Sequence, residues 1–177
     1  EMNVEYALRF KAELGGAYRD VWTLGYANEI VGYVPVRRQI AEVNLKRAMD
    51  FLISNRDQEG VVETESGLQY KIIESGEGSS PALEDLVVVH YRGRLLNDTD
   101  FDSSYSRGQP AEFYVNQVIR GWQEVLQLMK PGDRWGVFIS PDLGYGPNGA
   151  GGSIGPNELL VFEVDLLEVK PAQGNTE

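Results

Sequence analysis

VIRGW (118–122) and GYGPNGAGGSIGPNELLVF (144–162) bracket the stretch that decides the fold. VIRGW places two branched apolar residues, a turn glycine and an indole at what reads as a helix start, a composition suited to the floor of an apolar pocket, with Trp122 as that floor. The closing segment is a loop with six glycines that runs into a strand, in which Leu160, Phe162, Val164 and Leu166 alternate with Val161, Glu163, Asp165 and Leu167. That period of two predicts one buried face. Working outward, Val87, Val89 and Tyr91 alternate with Val88, His90 and Arg92, and Trp135, Val137 and Ile139 alternate with Arg134, Gly136 and Phe138. These read as half-buried antiparallel strands. The segment GWQEVLQLM lies between them and is expected to stay helical until Pro131-Gly132, where proline cannot continue a helix. The pattern predicts an α+β fold, a curved antiparallel sheet wrapped on one short helix and preceded by a helical and irregular N-terminal appendage.

Composition narrows the function. The 177 residues contain 42% hydrophobic side chains, enough for a core, with no apolar run near the ~18 residues that read as a membrane span. A formal charge of −11 opposes nucleic acid, whose phosphates call for clustered Lys and Arg. Zero cysteines remove disulfide frameworks, thiolate zinc sites and cysteine nucleophiles together, and leave the compartment open.

Ahead of the sheet, residues 4–14 carry a short amphipathic pattern ended by Gly15-Gly16, and VWTLGY and EIVGYV are glycine-punctuated, strand-like runs ending at Pro35. From Arg37 to Asn55 the pattern turns helical, with Ile40, Val43, Ala48, Phe51 and Leu52 on one side, an apolar stripe that needs something to pack on. The polar run around Gly60 reads as a linker. The expected division is an N-terminal appendage over 1–38, helix and linker over 39–65, the sheet domain over 66–170 and a tail over 171–177.

Several motif matches dissolve on inspection. GYGPNG (144–149) fits a dinucleotide fingerprint, but Pro147 and Pro156 stand where that fingerprint needs a helix. Asp98, Asp100 and Asp102 open like a calcium loop, yet its sixth and twelfth positions are Ser103 and Gln109, where glycine and glutamate are needed. His90 is the only histidine, alternation turns it away from Tyr91, and one imidazole cannot build a histidine zinc site.

What remains is an apolar set, Tyr91, Phe101, Phe113, Val118, Ile119, Trp122, Tyr145, Ile154 and Phe162, with Asp102 its only charge. Composition alone reads these as core, because aromatics usually are. The segments SGLQYKI, VHYRGRL, FDSSY, VIRGWQEVLQLMKPGDRW, ISPDLGYG and GGSIGPNELLVFEV, however, make residues 67–170 resemble an FKBP-type peptidyl-prolyl isomerase of the macrophage-infectivity-potentiator branch. The resemblance implies an FKBP-like fold and turns the set into a proline-binding pocket. Trp122 becomes its platform and Tyr91, Phe101, Phe113, Val118 and Phe162 its walls, with Ile154 on the loop beside them. The Ile119 N–H and the Tyr145 hydroxyl are then expected to bind substrate carbonyls, and Asp102 to orient Tyr91 or the ligand.

The implied activity is rotamase chemistry on X-Pro bonds in protein folding, or, alternatively, a non-catalytic chaperone module that uses the same pocket to grip proline-containing chains. Rotation about an X-Pro bond breaks amide resonance without moving a proton, so no nucleophile, metal or cofactor is expected. The implied partners are proline-containing polypeptides and macrolides of the FK506 and rapamycin class, with a homodimer through residues 39–58. The implied location is periplasm or cell envelope in preference to cytoplasm. Ala111, Ser153 and Gly155 depart from the pattern of the best-known small members, which bears on macrolide affinity and not on the core chemistry. Because the implied pocket residues all follow Val89, turnover of a short peptide is expected not to depend on the residues before Glu65.

Residues 4–38 resemble, through YALRF and VWTLGYANEIVGYVP, a segment near the end of the catalytic domain of neutral ceramidase-like hydrolases. That family's zinc site takes several histidines from a much larger domain. A zinc-dependent lipid amidase therefore lacks its ligand set here, and Tyr33, which matches a metal-proximal tyrosine, has no metal to serve.

Overall fold

Ten residues from Leu86 to Leu95 form β3, the strand on which the sheet is built, and its side chains alternate between buried and more exposed along nearly its whole length. The computed structural model describes residues 37–172. The expectations for residues 4–36, including Tyr33, lie outside the described residues. The elements in chain order are α1 (Arg37–Asn55), β1 (Val61–Glu63), β2 (Gln69–Glu74), β3, β4 (Asp100–Ser103), β5 (Ala111–Tyr114), α2 (Arg120–Leu126), β6 (Arg134–Ile139) and β7 (Leu160–Lys170).

All pairings are antiparallel, in the order β1-β2-β6-β7-β3-β4, with β5 on the same edge of β3 as β4. β5 takes the first half of β3 (Leu86–Val89) and β4 the second (Arg92–Arg94). The three strands read from alternation bury the faces expected of them: Val87, Val89 and Tyr91 in β3, Trp135, Val137 and Ile139 in β6, and Leu160, Phe162, Val164 and Leu166 in β7. Across this concave face lies α2, whose Trp122, Val125 and Leu126 join the same core. Gly121 allows the helix start to sit close to β6, since a Cβ there would fall 2.7–3.0 Å from the Ile139 side chain.

The short helix ends sooner than Pro131-Gly132. After Leu126 the backbone tightens, with the Leu128 N–H bonded to Val125 O and the Met129 N–H shared between Val125 O and Leu126 O. This tighter turn, common at helix ends, leads to Met129, which is fully buried.

On the convex face, α1 has the expected bounds, and it buries most of the expected apolar side together with two amides. Ala48 is buried and Val43, Phe51 and Leu52 are half-buried, whereas Ile40 is 36% exposed and the remaining buried positions are Asn44 and Asn55. Phe51 packs on Phe138 of β6 (centroids 5.6 Å apart), and Asn55 donates to Gln69 Oε1 (2.9 Å). The helix thus lies on the sheet of its own chain through a mixed apolar and amide face. Leu45, Met49 and Ile53, spaced four apart, stay on the outer side at 39, 55 and 53% exposure.

Candidate functional site

The register places the site. Tyr91 lies opposite Val164, while Gly93, two residues on, lies opposite both Phe162 on β7 and Asp102 on β4. Tyr91 is therefore the diagonal neighbour of Phe162 on one side and of Asp102 on the other, within reach of both on one face. A Cβ on Gly93 would fall 2.6–2.8 Å from the rings of Phe101 and Phe162. The glycine leaves the floor of β3 free for those two rings, which meet edge to face at 5.4 Å and 88°.

Trp122 enters from the first turn of α2. Three rings stand nearly upright on its plane: Tyr91 (5.3 Å, 87°), Phe113 from β5 (5.8 Å, 83°) and Phe162 (5.2 Å, 80°). This is the arrangement of a floor with three walls, and the edge-to-face geometry is the one aromatic quadrupoles favour. Tyr91, Trp122 and Phe162 are 5, 4 and 5% exposed, and Trp122 Nε1 is buried with no hydrogen-bond partner among the described residues. Phe101, Phe113, Val118 and Ile119 are half-buried and form the accessible rim. A separate open groove of about 400 Å³ runs between α1 and the turn after β3, lined by Arg47, Asp50, Phe51, Leu96 and Asn97.

At the rim stands a polar triad. The Tyr91 hydroxyl donates to Asp102 Oδ2, and Arg107 pairs with Asp102 Oδ1, donates to the Tyr91 hydroxyl oxygen (2.8 Å) and lies over the Tyr91 ring at 5.5 Å. Burial pushes the Asp102 carboxyl up, but the hydrogen bonds from Tyr91 and Arg107 and the attraction of the guanidinium outweigh it, leaving the group below its ordinary value. Burial, reinforced by the carboxylate beside it, pushes the Tyr91 phenol up. The group that results is a fixed negative charge, a neutral phenol and a cation at the mouth of an apolar cup.

Ile119 caps α2 in an extended conformation, its carbonyl accepting from the Gln123 N–H (3.0 Å). Among the described residues its own N–H meets no acceptor, so it is free to donate to a ligand. Tyr145 is 40% exposed at the start of a 3-10 turn. Ile154 is buried and bridges to Ala150 in both directions (2.9 and 3.0 Å) around Gly151 and Gly152.

Three residues of this site escape a reading by residue type. Arg107 is one cation in the polar run SRGQP, and nothing in its spacing marks it. Ser104, fully buried, bonds the Tyr91 N–H (2.8 Å), the Tyr91 carbonyl (3.2 Å) and His90 Nδ1 (2.9 Å), fixing the backbone beneath the site tyrosine. Gly93 announces itself only once the register is known. His90 lies on the opposite face, as alternation predicts, with its ring stacked on Tyr105 at 4.6 Å. The calcium-like aspartates are each paired with an arginine, Asp98 with Arg94, Asp100 with Arg92 and Asp102 with Arg107. Among the described residues no cluster of three or more His, Asp or Glu has a metal-holding arrangement.

Residues 77–167 match the FKBP-type peptidyl-prolyl cis-trans isomerase family, and residues 34–72 match the domain amino-terminal to FKBP-type peptidyl-prolyl isomerases. The chain belongs to the FKBP-type isomerase family. Among its relatives, the peptidyl-prolyl cis-trans isomerase Mip of Coxiella burnetii is 52% identical over 127 residues, 72% of this chain and 55% of that protein. The outer membrane protein MIP of Legionella longbeachae is 50% identical over 132 residues, 75% of this chain and 57% of that protein. The crystal structure of FkpA from Escherichia coli superposes with a TM-score of 0.74 at 40% identity, covering 77% of this chain and 63% of that one. The chain thus spans little more than half the length of the curated relatives it matches. FKBP membership agrees with the resemblance read from VHYRGRL, FDSSY and VIRGW, and the Mip relatives agree with the branch. None of these matches bears on the ceramidase-like resemblance of residues 4–38.

Proposed function

We propose that the chain catalyses cis-trans isomerisation of X-Pro peptide bonds. The observation that carries this reading is the cup itself, an indole floor with three upright aromatic walls and a neutral phenol, a carboxylate and a free backbone N–H at its rim. A proline ring is compact, apolar and without a donor, which fits the Trp122 plane. The planar amide is the more dipolar form, and an apolar site weakens its solvation relative to the twisted form. Once resonance is broken the carbonyl no longer needs its planar partners, and the Tyr145 hydroxyl and Ile119 N–H would hold it and the chain beyond proline. Asp102 and Arg107 keep Tyr91 oriented. The barrier to be lowered is ~18–20 kcal/mol, and no covalent step is required.

Proline-containing polypeptides are the proposed substrates, and macrolides of the FK506 and rapamycin class the proposed competing ligands. Ala111, Ser153 and Gly155 would tune affinity for the latter. The sheet domain over 66–170, with the site residues Tyr91, Asp102, Ile119 and Tyr145 acting on the amide and Phe101, Phe113, Val118, Trp122, Ile154 and Phe162 receiving the ring, is proposed as the working unit. Residues 39–58 are proposed to pair two copies. The outer row Leu45, Met49 and Ile53 supports this, because exposed side chains of this kind gain by packing on an identical row. A cell-envelope location is proposed from the outer-membrane name of a half-identical relative. Among the described residues no helix is long and apolar enough to cross a membrane. Acceleration of X-Pro exchange in a short peptide, and its loss on adding a macrolide, tests the central reading.

A further inference from the structure

The buried asparagines of α1 do not face the same part of the sheet. Asn55 reaches β2, but Asn44, 8% exposed, spends both hydrogens of its amide on the loop between β6 and β7, donating to the Pro156 carbonyl (2.9 Å) and to Glu158 Oε1 (3.0 Å). The loop reaches back, for Asn157 Nδ2 donates to the Ala41 carbonyl (3.2 Å), and Arg37 donates to the Asn148 carbonyl (2.7 Å). Four hydrogen bonds therefore join one helix to the segment 148–158. That segment carries Ile154, two residues before Pro156, and the Asn157 N–H closes on the Gly146 carbonyl (2.8 Å) next to Tyr145.

We propose that Asn44 is a positioning residue for the pocket: through it, α1 fixes the loop that presents Ile154 and Tyr145, and so sets how well the site holds a proline-containing ligand. The loop needs such an external anchor. It contains Gly149, Gly151 and Gly152 at positive φ, and Asn157 at φ 54°, and glycines lose more backbone freedom on ordering than other residues. Its internal ties are the Ala150–Ile154 bridge and two bonds to the Gly146 carbonyl, from the Gly149 and Asn157 N–H groups. A loop that spends part of its time away from the pocket lowers apparent affinity by the fraction of time it is away. The expectation that a short peptide is insensitive to everything before Glu65 does not hold on this account.

The inference rests on the isomerase reading, and its test separates the two. In the full chain, Asn44→Ala removes both donors, while Asn157→Gly keeps a residue suited to the positive φ and removes only the amide that reaches Ala41. We expect amide exchange at Ile154 and Asn157 to accelerate in both variants. KM for a short X-Pro peptide should rise about three- to tenfold in Asn44→Ala, which loses the bonds to the Pro156 carbonyl and the Glu158 carboxyl group, and less in Asn157→Gly, with kcat changed less than twofold. Asn44→Gln, which retains the amide, should recover part of the loss. Unchanged KM in both variants overturns the inference, whether or not exchange accelerates. A wild-type chain without turnover refutes the isomerase reading instead, and the same comparison of wild type and variants made on peptide affinity still decides the role of Asn44.

Discussion

The rings of Tyr91 and Trp122 meet edge to face, 5.3 Å between centroids and 87° apart, so that one side chain is both a wall of the cup and, through its hydroxyl, the link to Asp102. In the proposed site, apolar reception and polar orientation of the ligand would therefore share a residue. Changes to the floor and changes to the rim should separate kinetically.

In the proposed role, the floor would hold a proline ring in the planar and the twisted state alike, a contribution to binding that is largely uniform. Trp122→Ala would remove a buried indole from the core at about 3–5 kcal/mol of stability, so Trp122→Leu is the cleaner change. It should weaken macrolide binding on the order of tenfold, the loss of aromatic contacts worth about 0.5–1.5 kcal/mol each, and lower kcat by less. Titration calorimetry beside peptide turnover measures the two, and equal losses would contradict a uniform role.

Asp102→Ala should reduce turnover about tenfold with the fold intact, since a positioned polar group contributes on the order of 1–3 kcal/mol. The sign with pH follows from its lowered folded-state pKa. The stabilisation it provides is fully present above the ordinary carboxyl value of 3.8 and is lost only as pH falls through the lower folded value. Acid unfolding followed by tryptophan fluorescence should show that loss below 3.8 in the wild type and its absence in Asp102→Ala.

Gly93→Ala places a methyl within 2.6–2.8 Å of Phe101 and Phe162. Overpacking of this kind costs about 1–3 kcal/mol, and the rings that must yield are walls of the cup. Thermal unfolding should report the destabilisation and macrolide affinity should fall with it. Gly136→Ala, where an added methyl meets nothing closer than 4.0 Å, should leave affinity unchanged.

The proposed pairing of two copies through residues 39–58 predicts a concentration-dependent dimer, and Met49→Glu with Ile53→Glu should render it monomeric in light scattering while short-peptide turnover persists. A monomer at all concentrations in the unmodified chain would remove the pairing.

The strands were legible because one buried face imposes a period of two on β3, β6 and β7, and the aromatic set was legible through the motifs that carry it. Arg107 and Ser104 were not, for their importance comes from where the turn after β4 returns to β3, and a lone arginine or the second of two serines carries no period. Asn44 reads as part of a polar helical surface until the loop 148–158, more than a hundred residues later, arrives to bury it. The tight turn between Leu126 and Pro131-Gly132 was not legible either, because helical periodicity does not distinguish a 3-10 end from one more α-turn.

The most direct test of the central claim is the exchange rate between cis and trans forms of a short X-Pro peptide, followed by NMR with catalytic amounts of the chain, with and without a macrolide. Uncatalysed exchange takes tens to hundreds of seconds. The account predicts strong acceleration that the macrolide abolishes. A peptide that binds with no change in its exchange rate would contradict it and leave the cup as a grip for proline-containing chains.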